Sequence, residues 1–320
     1  MADFRELSLS ECCELLLSVE NPLVVMHIRP DGDTVGSGAA LCEIFKQLGK
    51  NPKYACHDDI PERLAFLIEG YERTDNFDGL TPVAIDVASP AQLGGIYERL
   101  TPLFSIDHHK MNTPFCDNLT LSCASSAGEV LLDLARMLVG MGRLTITKRI
   151  AECIYAAISS DTGGFAYSNA SAKAYRDAAD LISLGIDHAD INKRLFDSKS
   201  KTEIIAEGFV GSRLNCSDDG KIAYAVISKK EREAIGLPFT AFDTAIDVVR
   251  ALRGSEVAFV VKETDKGEFK ASLRSTGVNV AEIAARHSGG GHIRAAGCAV
   301  IAECAEAAAE ILLNELKAVV

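Results

Sequence analysis

His27-Ile28-Arg29-Pro30-Asp31-Gly32-Asp33-Thr34-Val35-Gly36-Ser37-Gly38 is the stretch from which the fold is read. The apolar run Leu23-Val24-Val25-Met26 before it reads as a buried strand over 23–28. Ala39-Ala40-Leu41-Cys42-Glu43-Ile44-Phe45 after it reads as a helix over 36–48, stopped by Gly49. One imidazole and two carboxylates therefore stand where a strand gives way to a helix, the place where ligands bind in an open α/β sheet. Two carboxylates one residue apart repel each other unless cations neutralise them, and hard oxygen donors beside one imidazole suit Mn²⁺ or Mg²⁺. Taken alone, the same residues also read as a solvated turn built on Pro30 and Gly32, with Ser37 as the helix N-cap.

Outward from this stretch the alternation of elements continues. Ser8-Leu9-Ser10-Glu11 is a capping box opening a helix to about residue 19. Lys53-Tyr54-Ala55-Cys56 is a short strand, Pro61 starts a helix to 67, and Val83-Ala84-Ile85-Asp86-Val87 is a strand carrying a carboxylate. A helix over 90–100 and a strand over 103–106 follow, closed by Asp107-His108-His109. Strands alternating with helices predict an α/β fold with a doubly wound, mostly parallel sheet. Helices are expected over 126–141, 147–159, 172–184 and 187–196, with Asp161-Thr162-Gly163-Gly164-Phe165 interrupting them. Residues 1–196 form one domain, 197–213 a helical, semi-rigid connector, and 214–320 a smaller α/β domain. That second domain has strands over 222–227, 257–261 and 269–274, a helix over 280–287, Gly289-Gly290-Gly291-His292, and a final helix over 302–316.

Composition narrows the function. The chain has 320 residues, a formal charge of −12 and 48% hydrophobic residues. An acidic chain does not offer duplex nucleic acid a broad basic surface, although bound divalent cations can invert the field locally. Ten cysteines without a Cys-x-x-Cys pair fit reduced, buried thiols. With no apolar run of membrane-spanning length and no secretory leader pattern, the expectation is a soluble cytoplasmic protein without membrane contact.

His27, Asp31, Asp33, Asp86, Asp107, His108, His109 and Asp161 are more polar groups at element ends than one metal ion needs. Two ions about 3.5–4 Å apart, sharing a carboxylate, would use them, and such centres serve phosphoryl transfer. In the second domain, three consecutive glycines let backbone N–H groups approach an anion, and Arg274 offers a planar fork for a phosphate.

The ordered set HIRPDGDTVGS, VAID, DHH and SDTGGF, followed by SLRS and GGGHIRAAG, resembles the DHH phosphoesterases and their DHH-associated C-terminal domain over nearly the whole chain. The resemblance implies a first metal on His27, Asp31 and Asp86 and a second on Asp33, Asp86, His108 and Asp161, commonly Mn²⁺. It implies that His109 faces the scissile phosphate, with Asp107 orienting the histidines. Arg274, Ser275, Gly289, Gly290, Gly291 and His292 would then bind the substrate's phosphate or nucleotide end in an interdomain cleft. Expected substrates are short single-stranded RNA or DNA fragments, or small phosphorylated nucleotides such as 3′-phosphoadenosine 5′-phosphate (pAp). The expected activity is that of a bifunctional oligoribonuclease and pAp phosphatase. A cyclic-dinucleotide phosphodiesterase shares every motif, a catalytically silent nucleotide sensor is the rival of another class, and a homodimer stays open.

Overall fold

The structure is a computed structural model describing residues 4–320, and the chain divides into two compact units after Ser198. In the first unit α1 (Leu9–Ser18) opens with the expected capping box, Ser8 Oγ accepting from the Glu11 N–H while the Glu11 carboxylate accepts from the Ser8 N–H. There follow β1 (Pro22–Val25), α2 (Gly32–Gln47), β2 (Lys53–Ala55), α3 (Ala65–Ile68), β3 (Glu72–Arg73), β4 (Thr81–Ile85), β5 (Phe104–Asp107) and β6 (Asp117–Thr120). Helices α4 (Ala127–Gly140), α5 (Lys148–Asp161), α6 (Ala172–Ile182) and α7 (His188–Asn192) complete it.

The strands form one six-stranded sheet, ordered β3-β2-β1-β4-β5-β6, in which every neighbouring pair is parallel. The chain starts at the centre with β1, winds out to β3, then returns to β4 and winds the other way. The order reverses between β1 and β4, so a crevice opens at the carboxyl ends of these two strands. The fully buried runs of β1 and β5 are what a sheet covered on both faces requires.

Helix α2 begins at Gly32, ahead of the expected start, because Asp31 is its N-cap and accepts from the N–H groups of Asp33 and Thr34. Ser37 is therefore not a cap. It lies a turn inside the helix, buried, and its hydroxyl donates to Asp33 Oδ1 at 2.9 Å. The glycines that disguise this helix as a loop are packing positions. A Cβ on Gly36 would lie 2.7 Å from the Cys153 carbonyl oxygen, so α2 and α5 touch backbone to backbone. The expected helix over 90–100 is instead a 3₁₀ segment, Pro90–Ile96, broken at Gly94 with φ +56°. Strands β3 and β6 were not expected; both are short edge elements with too few apolar residues to show a period.

The second unit comprises α8 (Lys201–Ser212), β7 (Asn215–Cys216), β8 (Ile222–Ile227), α9 (Lys229–Ala234), α10 (Ala245–Arg250), β9 (Val257–Glu263), β10 (Phe269–Ser275), α11 (Val280–Arg286), β11 (Gly290–His292), β12 (Ala295–Val300) and α12 (Ala305–Lys317). Its sheet runs β11-β12-β10-β9-β8-β7, with β8 and β9 parallel and the other pairs antiparallel. Strand β9 shows how the two faces are filled: Val257, Phe259 and Val261 pack with α11 and α12, Ala258 and Val260 with α8 and α10. Residues 197–213 are thus no spacer, since Ala206 and Val210 of α8 are buried in the second unit's core. The triple glycine lies against β12. Gly290–His292 pairs with β12, and a Cβ on Gly289 would lie 2.2 Å from the Gly297 carbonyl oxygen.

Candidate metal centre

His27 follows β1, Asp31 and Asp33 open α2, Asp86 follows β4, His108 follows β5, and Asp161 ends α5. The topology gathers all six at the point where the strand order reverses. Asp86 is the hub. Its N–H still donates to the Ile106 carbonyl as if the strand continued, but φ is +58°, a conformation that turns the chain out of the sheet. The residue is 2% exposed, with Oδ2 3.4 Å from His27 Nε2 and Oδ1 3.5 Å from His108 Nε2.

Three further contacts extend from these imidazoles. His27 Nε2 lies 3.7 Å from Asp31 Oδ1, and His108 Nε2 lies 3.6 Å from Asp33 Oδ2 and 3.8 Å from Asp161 Oδ2. These separations exceed ordinary hydrogen bonds. They approach the edge of a coordination shell with bonds of about 2.0–2.2 Å. His27, Asp31 and Asp86 form one group of donor atoms that could hold an ion, Asp33, His108 and Asp161 another, and Asp86, His108 and His109 a third.

The surroundings fit a cation. Asp86 Oδ1 is buried without a hydrogen-bond partner, which is costly unless a positive charge satisfies it. His27 Nδ1 is 2.6 Å from the Ile28 carbonyl oxygen, an acceptor only, so Nδ1 carries the proton and Nε2 is the atom presented to Asp31 and Asp86. Asp33, 1% exposed, is held by the first amides of α4: Ala127 N–H donates to Oδ2 at 2.8 Å and Gly128 N–H to Oδ1 at 3.1 Å.

Electrostatics points the same way. Burial pulls His27 down, but the Asp31 and Asp86 carboxylates more than offset it, raising its pKa to about 11. Burial likewise opposes, and Asp86, Asp33 and Asp161 outweigh, at His108, which rises to about 10. Burial pushes Asp86 up, yet contact with His108 and His27 holds it well below the usual carboxylate range. Burial and the neighbouring Asp86 carboxylate drive Asp33 up, and burial takes Asp161 up to about 7. Excess carboxylate thus retains protons on the imidazoles, and a divalent ion entering the same field would displace them.

His109 packs against His108, with ring centroids 4.6 Å apart, and has a further carboxylate partner. Its Nδ1 is 2.7 Å from Asp107 Oδ1 and 3.6 Å from Asp86 Oδ1, so the nitrogen nearest the hub is engaged by Asp107. Its ring lines a polar cavity of about 390 Å³ with Lys110, Asn112, Thr120 and Ser122. Asp107 hydrogen-bonds His109, not His108. Arg274 lies on β10 and Ser275 ends it, while Gly290, Gly291 and His292 make β11. The Gly289 N–H donates to the Ala284 carbonyl and so closes α11, so its amide is already engaged. Ser37, read from the sequence as an N-cap, instead donates to Asp33, and the Ala127 and Gly128 amides on the same carboxylate escape a reading of the sequence. Their only trace is Ser126, which caps α4 and whose side chain accepts from the Glu129 N–H.

The chain is similar to known proteins along most of its length. The model of the DHH family, N-terminal domain, matches residues 21–158, and that of the DHHA1 domain matches 219–318. The bifunctional oligoribonuclease and PAP phosphatase NrnA of Thermus thermophilus is 31% identical over 291 residues, covering 89% of this chain and 86% of that protein. The protein of the same name from Bacillus subtilis is 27% identical over 279 residues, with 86% and 87% covered. Among solved structures, an exopolyphosphatase-related protein from Bacteroides fragilis shares the fold, with a TM-score of 0.86 at 23% identity, covering 97% of this chain and 96% of that one. Among the described residues no helix is long and apolar enough to cross a membrane. The chain belongs to the DHH family of phosphoesterases, metal-dependent enzymes that hydrolyse phosphoester bonds.

Proposed function

We propose that this phosphoesterase uses two divalent ions, Mn²⁺ for preference, to cleave short single-stranded oligonucleotides and pAp. One observation carries the two-ion reading: the two oxygens of Asp86 face different imidazoles, Oδ2 toward His27 at 3.4 Å and Oδ1 toward His108 at 3.5 Å. His27, Asp31 and Asp86 would hold one ion, and Asp33, Asp86, His108 and Asp161 the other. Bound there, divalent ions supply positive charge at the phosphoryl oxygens and a water acidic enough to attack at neutral pH. His109, steadied by Asp107, offers a proton or hydrogen bond to the reacting phosphate. Arg274, Ser275, Gly290, Gly291 and His292 of the second unit bind the substrate's terminal phosphate, a charge-assisted contact for which Arg274 is suited.

The substrate class rests on the names of the relatives and on a formal charge of −12, which leaves little for a long strand to follow. Nothing in the comparisons favours the cyclic-dinucleotide alternative. The test is a parallel assay with Mn²⁺ of di- to pentaribonucleotides, a 25-nucleotide strand, pAp, cyclic di-AMP and bis-p-nitrophenyl phosphate. Short oligoribonucleotides and pAp should be turned over fastest. Preference for cyclic di-AMP or the long strand overturns the substrate reading. Failure on every substrate, the generic diester included, indicates a silent nucleotide sensor.

A further inference from the structure

Asp33 on α2 and Asp161 on α5 are far apart in sequence, yet both are tied to one turn, residues 125–128. Ala127 and Gly128 donate their amides to Asp33. On the other side Asn169 Nδ2 donates to the Ser125 carbonyl at 3.3 Å and to the Asp161 carbonyl at 3.0 Å, and lies 3.5 Å from Asp161 Oδ2. The turn is anchored from behind by Glu129, which is 1% exposed. Glu129 Oε2 accepts from the Ser125 N–H at 2.9 Å and the Ser125 hydroxyl at 2.6 Å, and Oε1 meets Lys173 Nζ at 3.1 Å. Two donors from Ser125 converge on one buried oxygen, which holds the turn firmly. Gly128 is pressed onto α5, where an added Cβ would lie 2.5 Å from the Ala157 Cβ.

We propose that Glu129 and Asn169 are positioning residues: through the 125–128 turn they set the separation of Asp33 and Asp161 and thereby tune the ion held with His108. The proposal rests on the metal reading of the site. It treats the two ions differently, because His27 and Asp31 are oriented by other groups, the Ile28 carbonyl and the amides of Asp33 and Thr34. Outer hydrogen bonds of this kind typically change metal affinity by about 10–100-fold.

The test is calorimetric titration of Mn²⁺ into the chelator-stripped full chain. Asn169→Ala alters an exposed side chain, and Ser125→Ala removes one donor to Glu129 while leaving the backbone donor in place. Glu129→Gln is the severe variant, and the milder two remain informative if it does not fold. Asn169→Ala should keep the metal-free melting temperature and lose about 10–100-fold in affinity for one ion, the other unchanged. Ser125→Ala should lose affinity for the same ion to a smaller degree. Unchanged affinities in both variants, or equal weakening of both ions, overturn the proposal. A wild type that takes up no Mn²⁺ overturns the metal reading itself, and the proposal with it.

Discussion

Asp86 combines two features that a purely structural residue would shed. Its backbone is left-handed at φ +58°, which costs energy for any residue with a Cβ, though less for Asp and Asn than for most. Its Oδ1 is buried without a hydrogen bond. Strain and an unpaired buried acceptor at one position mark a group held for chemistry. Asn fits the same backbone and nearly the same volume but lacks the charge, so Asp86→Asn separates the two roles. The variant should keep its fold and lose at least about 10²–10³-fold in metal-dependent turnover, the usual cost of one transition-state contact. Activity near wild type, by steady-state assay on a dinucleotide, would remove Asp86 from the centre. At this scale the sequence was informative: His27, Asp31, Asp33, Asp86, His108 and Asp161 were all singled out, and the structure brings them together at distances of 3.4–3.8 Å. Ser37 was misread because Asp31, which looks like a pure ligand, also serves as the N-cap of α2.

The contact between α2 and α5 is the element-level device that brings Asp33 toward Asp161. It depends on glycines where helix propensity would favour alanine. At Gly36 a Cβ would meet two backbone atoms, the Cys153 carbonyl oxygen at 2.7 Å and the Ala157 nitrogen at 3.0 Å, and neither can rotate away. Gly36→Ala should therefore force the helices apart and lower stability by about 1–3 kcal/mol despite the better propensity of Ala. Thermal melts with and without Mn²⁺ would measure this, and a gain in stability would mean that the helix pair adjusts freely. Elements with a capping signal, a continuous apolar run or clear alternation, such as α1, β9 and β10, were legible in the sequence. Strands β3 and β7 are too short to show a period, and β11 is a strand of Gly-Gly-His whose pairing comes from close backbone approach to β12.

At the scale of the molecule, strand order places the centre. The reversal between β1 and β4 brings His27 and Asp86 to adjacent strand ends, and β5 adds His108 beside them. This topology was legible because strands and helices alternate in the first unit. The division between units was less so: α8 is polar enough to read as a connector, yet it buries Ala206 and Val210 in the second unit's core. The central claim is that Asp86 joins two ions into one centre. Electron paramagnetic resonance of the chelator-stripped full chain, reloaded with Mn²⁺ to saturation, tests it most directly. The prediction is two ions per chain with the spectrum of an exchange-coupled pair. One ion per chain, or the six-line spectrum of isolated Mn²⁺, would contradict it.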